Sequence, residues 1–237
     1  MPHNRYYFPG PLPLGSTISL EASESLHLQK VMRKKKKDAV AIVNGRGTLA
    51  EGIVTTLHRH RTEINIVKKE SFPRDPLPDL HLLQAHIKLQ SLEWIIQKGT
   101  ELGVSHFHFF PANRSPSLIR NAPSERWQAI AIGAMKQCGR LFLPTIHCLP
   151  GLSDYPHKER PLYFGMPTGN HLLSTYSPHC YGLAIGPEAG WTRKEVEILS
   201  LWGKPICLHP YILRAETAAL AGIALLHQAT PPLLKDS

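Results

Sequence analysis

Cysteine is scarce in this chain. Four stand in 237 residues (Cys138, Cys148, Cys180 and Cys207), with no CxxC pair among them. Neither a zinc site nor a disulfide framework is indicated by such spacing. The 14 histidines include no HExxH, and no G-x-G-x-x-G opens a helix after a strand, which argues against nicotinamide and flavin enzymes. No apolar run approaches the roughly 18 residues of a membrane span. The N-terminus lacks the apolar core of a signal peptide, so a reducing cytoplasm is expected. Acidic residues are also few: 18 Asp and Glu face 27 Lys and Arg, a formal charge of +9 with a pI near 9.5. A surplus of that size suits a polyanionic partner, because neutralising phosphates releases counterions, although a soluble protein can simply be basic.

The chain is long enough for one large domain or two small ones. Residues 1–72 read as β-rich. Ala39–Val43 and Thr48–Val54 are strand candidates joined by the hairpin signal Asn44-Gly45, Thr62–Val67 alternates polar and apolar, and one short helix is expected around Ser23–Val31. Short strands with tight turns suggest a small barrel. Pro73, Pro76 and Pro78 interrupt any helix or central strand, so residues 73–79 read as a linker.

From residue 80 onward the pattern changes. Leu80–Ile87, Val104–Phe110 and Leu162–Gly165 are strand-like. Between them, Leu92, Ile95, Ile96, Gly99 and Leu102 form one face of a helix stopped by Gly103. Trp127, Ile130, Ala131, Ala134, Met135 and Cys138 form one face of another, which Ser124 can cap. Strands alternating with helices predict a mostly parallel, layered α/β domain over residues 80–237. His58/His60 and His106/His108 are i, i+2 pairs that share a face on a strand. Surface or core packing is the plainer expectation for both, and no metal site is predicted.

The chemistry is expected in the last fifty residues. Tyr181–Ile185 leads into Gly186-Pro187-Glu188-Ala189-Gly190, and Ile206–Leu208 leads into His209-Pro210-Tyr211 and then Ile212-Leu213-Arg214-Ala215-Glu216-Thr217-Ala218. Each is a strand, a loop and a helix start; side by side they form the crevice where open α/β sheets bind ligands. Thr192 with Glu195 is a capping box. Arginine at a helix start opposes the macrodipole, so Arg214 should be held by Glu188, by Glu216 or by a substrate phosphate. The basic run Arg33–Lys37 reads either as a solvated face or as a phosphate-contacting edge. Arg114, Arg120, Arg126, Lys136 and Arg140 add cations to the second domain.

These residues, in this order, resemble the bacterial 16S ribosomal RNA (uracil-N3)-methyltransferases of the SPOUT superfamily. The likeness spans His27…Lys30-Val31-Met32-Arg33, Asn44-Gly45-Arg46-Gly47, Ile96–Val104, Asn113-Arg114-Ser115, Glu125-Arg126-Trp127, Gln137–Arg140 with Pro144, Ile185–Gly190 and Ile212–Ala218. It implies an N-terminal PUA-like β-barrel, then a C-terminal SPOUT-type α/β domain with a deep trefoil knot, paired as a homodimer. The implied methyl donor is S-adenosylmethionine, and the implied product is 3-methyluridine in 16S RNA of the assembled small subunit, near the decoding centre. By matching position, Met166, Pro167, Ile185, Gly186, Pro187, Gly190, Leu208, His209, Tyr211, Ile212, Leu213 and Thr217 would hold the donor. Arg214, Glu188 and Glu216 would be catalytic, with Arg214 stabilising the uracil anion and a glutamate taking the proton or orienting Arg214. Arg5, His27, Lys30, Arg33, Lys34, Arg114 and Arg140 would hold RNA.

The chain departs from the family pattern at Ala189 in the GPEGG element and at His209 and Tyr211 beside the donor pocket. It departs also at Lys136 and Ser91. Two other readings stay open: a non-catalytic RNA-binding or ribosome-assembly factor, and a SPOUT enzyme acting on another RNA.

Overall fold

The computed structural model describes residues 5–116, 119, 122–156, 158–159, 162–171 and 182–229. Arg120, Cys180 and Tyr181 lie outside them. The chain folds as two compact units. The first runs to Asp75 and takes in Ile132–Leu143; the second holds Pro76–Ala131 and the chain from Pro144 on.

In the first unit, β1 (Arg5–Tyr7), β2 (Thr17–Leu20), β3 (Ala39–Val43), β4 (Thr48–His58) and β5 (Arg61–Ser71) form one sheet in the order β1-β3-β4-β5-β2. The β1–β3 pair is parallel and the others are antiparallel. The β3–β4 hairpin turns where expected: the Asn44 Oδ1 accepts the amides of Arg46 at 2.9 Å and Thr48 at 3.1 Å, while Gly45 takes φ +69°. β4 and β5 are longer than their hydrophobic alternation suggested: β4 continues to the exposed His58–Arg61 end, and β5 continues through the exposed Lys68–Ser71, which pair with Thr48–Glu51. Inward residues Tyr6, Leu20, Leu28, Ile42, Ile64 and Ile66 build the core, each aliphatic side chain stabilising by roughly 2 kcal/mol on burial.

The expected helix over Ser23–Val31 is divided. α1 (Ala22–Leu26) passes into a π-helical turn, His27–Val31, in which the Met32 amide donates to the His27 carbonyl at 3.0 Å. The segment 132–143 completes this unit, a membership that periodicity could not show. The Gly47 amide donates to Leu141 O and the Leu143 amide to Gly45 O, both at 2.9 Å, and Arg46 bridges to Phe142.

In the second unit, β6 (Leu80–Ala85), β7 (Val104–Phe110), β8 (Thr145–Cys148), β9 (Leu162–His171), β10 (Gly182–Ile185) and β11 (Gly203–Cys207) form an all-parallel sheet ordered β11-β9-β10-β6-β7-β8. The central strands β6 and β10 are buried throughout, as a parallel sheet covered on both faces requires. α2 (Leu89–Glu101), α4 (Arg193–Trp202) and α5 (Ala215–Ala229) accompany it, as does the start of α3 (Ser124–Cys138), whose residues from Ile132 belong to the first unit. α2 packs on β7 and α5, and α5 on β10. Leu199 of α4 joins the core on the opposite face with Leu83, Phe110, Tyr155, Phe164 and Ala184. β8, with only four residues and little burial, carries too weak a pattern to have been read from sequence.

The path from β9 to β10 runs through 172–181, so the knot that the resemblance implies passes outside the described residues. Among the described residues, no helix is long and apolar enough to cross a membrane.

Candidate active site

Parallel strands direct all their C-terminal ends to one edge of the sheet, and three loops leave that edge from the neighbouring strands β11, β9 and β10. The first interrupts β9. Its register with β11 jumps from Phe164 to Asn170, so Gly165–Gly169, with the half-buried Met166 and the exposed Pro167, stand out of that ladder.

The second loop follows β10. Ile185 and Pro187 are buried, and the Gly190 amide donates to the Pro187 carbonyl at 2.8 Å, closing a turn. Gly190 sits at φ +71°, a conformation in which a side chain is strained. Ala189 is not among the residues of positive φ, so its methyl group meets no backbone penalty. The departure from GPEGG is therefore harmless to the turn. A Cβ on Gly186 would lie 3.1 Å from Trp191 Cε2, so the backbone rests directly on the indole. The indole N–H in turn donates to Gly165 O at 3.1 Å, and the ring stacks on Phe110 at 6.3 Å.

A second clamp holds the same turn. Arg114 donates to the carbonyls of Ala189 at 3.1 Å and Trp191 at 3.3 Å. Thr192 caps α4 in a full capping box with Glu195. The buried Glu195 carboxylate also accepts the Asn113 amide at 2.9 Å, tying the chain after β7 to the start of α4. Burying that charge is tolerable because three donors, the Thr192 amide and hydroxyl and the Asn113 amide, are aimed at it. Trp191 and Asn113 were absent from the expected site residues. Their signal is tertiary, although an indole directly after a glycine turn is a cue.

The third loop follows β11. His209 Nδ1 accepts the Tyr211 amide at 3.1 Å, and the two rings lie 5.5 Å apart, so the histidine that replaces the usual glycine holds its own turn. Leu208 and Leu213 are half-buried, and Tyr211 and Ile212 are exposed. The Arg214 carbonyl accepts the Ala218 amide at 2.8 Å, placing Arg214 at the cap of α5, with Glu216 and Thr217 in its first turn. Arg214 is exposed, and among the described residues it makes no ion pair with Glu188 or Glu216. Among the described residues no ion pair explains the arginine, which is exposed where the third loop enters α5. His86, one residue beyond β6, is buried at the same edge, and burial pushes its imidazole below the usual histidine range.

These loops suit an adenosine-bearing methyl donor. They carry apolar side chains (Met166, Ile185, Leu208, Leu213) and glycines at 165, 169, 186 and 190 that leave backbone open to close approach, the features an adenine-sized ring calls for.

The first unit carries the other expected residues. His27, Lys30 and Arg33 are exposed on or just after the π-helical turn, and Arg33 holds φ +51°. Lys37 holds φ +77°, and Lys34 Nζ donates to Ala39 O at 3.3 Å. Arg5 donates to the Gly139 carbonyl. Arg140 is engaged by Asp75, with Nε and Nη2 both 2.8 Å from Oδ2 and only 7% of its side chain exposed. Lys136 pairs with Glu24. Arg5, Lys136 and Arg140 thus bind 132–143 to its own unit.

Two family models match the chain: an RNA methyltransferase domain over residues 73–227 and an RNA methyltransferase PUA domain over residues 20–67. The ribosomal RNA small subunit methyltransferase E of Buchnera aphidicola (subsp. Schizaphis graminum) is 30% identical over 94% of both chains, and that of Bacillus subtilis is 27% identical over 93% of both. Among solved structures, a ribosomal RNA small subunit methyltransferase E from Neisseria gonorrhoeae bound to S-adenosyl methionine superposes with a TM-score of 0.85. It is 26% identical, over 96% of this chain and 98% of that one. A methyltransferase from Legionella pneumophila in complex with the bound cofactor gives 0.88 at 26% identity, with the same coverage.

Proposed function

This chain belongs to the family of ribosomal RNA small subunit methyltransferase E, and from that premise we propose that it methylates N3 of one uridine in 16S ribosomal RNA of the small subunit. The observation that carries the proposal is the open Arg214 at the cap of α5, beside three loops that leave adjacent strands. When bound, S-adenosylmethionine supplies an electrophilic methyl group on a sulfonium centre. Met166, Pro167, Ile185, Gly186, Pro187, Gly190, Leu208, His209, Tyr211, Ile212, Leu213 and Thr217 are the residues that hold it.

Uracil N3 becomes nucleophilic only when its proton leaves, and the charge then spreads onto the flanking carbonyl oxygens. Arg214 is the cation placed to stabilise that anion, an electrostatic role of the oxyanion-hole kind. The N3 proton passes to Glu188, in the turn after β10, or to Glu216, in the first turn of α5. Trp191 and Arg114 act as positioning residues: they fix the turn that carries Glu188 and so hold both partners before reaction. RNA is held by His27, Lys30, Arg33 and Lys34 of the first unit, and by Arg114. Arg5 and Arg140 support that contact by fixing 132–143.

The active form is a cytoplasmic homodimer with a trefoil knot in the second unit. Leu201, Tyr211 and Ile212, 83%, 79% and 90% exposed, are large apolar side chains that a partner copy would cover.

Methyl transfer from labelled S-adenosylmethionine to small subunits lacking the modification, with the product nucleoside identified by mass spectrometry, tests the activity. Label in 3-methyluridine is expected, with deproteinised 16S RNA a poorer substrate. Arg214→Ala should keep donor affinity while losing at least a hundredfold in turnover, as removal of one such stabilising group does elsewhere. Label in another nucleoside, or none at all, would sink the proposal.

A further inference from the structure

At the opposite end of the same parallel strands, three β-strands bring together a cluster the methyl-transfer site does not use. His81 of β6 is in register with His106 of β7, and His106 with Thr145 of β8; the next row on that face carries His108 and His147. Sequence spacing showed only the His106/His108 pair. The sheet adds His81 from a separate strand and Asp79 from the residue preceding β6.

Asp79 is the centre of the arrangement. Its Oδ1 lies 2.8 Å from His106 Nε2 and its Oδ2 3.5 Å from His81 Nε2. One ligand atom from each of Asp79, His81 and His106 falls within 4.8 Å of the others. The far nitrogen of each ring is also held. His81 Nδ1 is 3.2 Å from His108 Nε2, and His106 Nδ1 is 2.7 Å from Thr145 Oγ1, which lies 3.0 Å from His147 Nε2. Each outer partner can accept a hydrogen bond from Nδ1–H, the tautomer that leaves both Nε2 lone pairs directed toward the carboxylate. Outer-sphere hydrogen bonds of this kind fix the tautomer and orientation of metal-binding histidines. Tyr155 covers the group, its ring 6.1 Å from His81 and 5.1 Å from His108.

We propose that Asp79, His81 and His106 bind a divalent transition-metal ion of the zinc class, with water in the remaining position. Two imidazoles and a carboxylate are the ligand set such ions prefer, and alkaline-earth ions favour all-oxygen sites. The ion pins the start of β6 to β7. His81 stands four residues before Ala85, about 13 Å along the strand, so the metal steadies the fold without touching the donor loops.

Chelator-stripped full-length protein titrated with zinc against a chromophoric competitor tests the site, with cobalt(II) as a spectroscopic probe of coordination. One saturable equivalent, a tetrahedral cobalt spectrum and a zinc-dependent rise in unfolding temperature are expected. His106→Gln and Asp79→Asn, both at partly exposed positions, should each weaken binding at least tenfold while the metal-free unfolding temperature stays near that of the parent. The double variant His58→Gln/His60→Gln should bind as the parent does. Non-saturating uptake, parental affinity in both site variants, or loss of binding in the His58/His60 variant would each overturn the proposal. Donor affinity, measured in parallel, should be the same with and without zinc.

Discussion

The indole N–H of Trp191 donates to the carbonyl of Gly165 at 3.1 Å, joining the turn after β10 to the loop that interrupts β9. The same ring supports the Gly186 backbone, so one side chain sets the spacing of two loops proposed to hold the methyl donor.

Trp191→Phe keeps an aromatic face under Gly186 and removes the donor. A lost hydrogen bond of this type costs about 1 kcal/mol, roughly a fivefold change in an equilibrium constant. Calorimetric titration with S-adenosylmethionine should show donor affinity falling by about that factor, with a small change in unfolding temperature. Unchanged affinity would mean that the loops hold their spacing without the indole.

Gly190 and Ala189 are adjacent but should respond in opposite ways. Gly190→Ala forces a Cβ into φ +71° with open space around it, so the cost is backbone alone, about 1–2 kcal/mol. Ala189→Gly relieves nothing and costs at most about 1 kcal/mol through chain entropy. Thermal unfolding together with donor binding distinguishes the two; equal effects would contradict the turn geometry.

Arg140 and Asp75 are both largely buried. Arg140→Ala leaves a carboxylate without its guanidinium and should lower stability by about 3 kcal/mol. Arg140→Lys should recover only part of that, since one ammonium cannot reproduce the two-nitrogen contact. Denaturant unfolding measures both variants, and a loss below about 1 kcal/mol for the alanine variant would show that water reaches Asp75 freely.

Tyr6 is fully buried, and among the described residues its hydroxyl has no hydrogen-bond partner. Burial, with Glu24 adding to it, raises its pKa to about 12. Because the folded value lies above the unfolded one, near 10, the unfolded chain ionises first on alkalinisation. The contribution is intact below about pH 10 and is lost as pH climbs towards 12. Tyr6→Phe should therefore be neutral or stabilising by about 1 kcal/mol at pH 7, and should flatten the fall in stability between those limits. A steeper alkaline fall in the variant would contradict the assignment.

Much of the molecule was written in local pattern. Val104–Phe110 was read to the residue, and the Asn44-Gly45 turn, the Gly103 stop and the Thr192–Glu195 box lie where their chemistry requires, because each depends on residues within one turn or one strand. The order of the glycine loops and the Ile212–Ala218 element carried the family likeness. Other features had no local signature. Four-residue β8 exists through its pairing with β7. The membership of 132–143 in the first unit follows from bonds to Gly45, Gly47, Asp75 and Arg5, far away in sequence.

Sequence by itself determined where the chain turns, caps and alternates, and which loops hold glycine, arginine and glutamate, since steric and hydrogen-bonding preferences act between near neighbours. Only the tertiary structure decided which of those groups meet: Trp191 with Gly165, Arg140 with Asp75, Asp79 with His81 and His106. Strand order and register make those choices, and both depend on burying apolar faces that lie many residues apart.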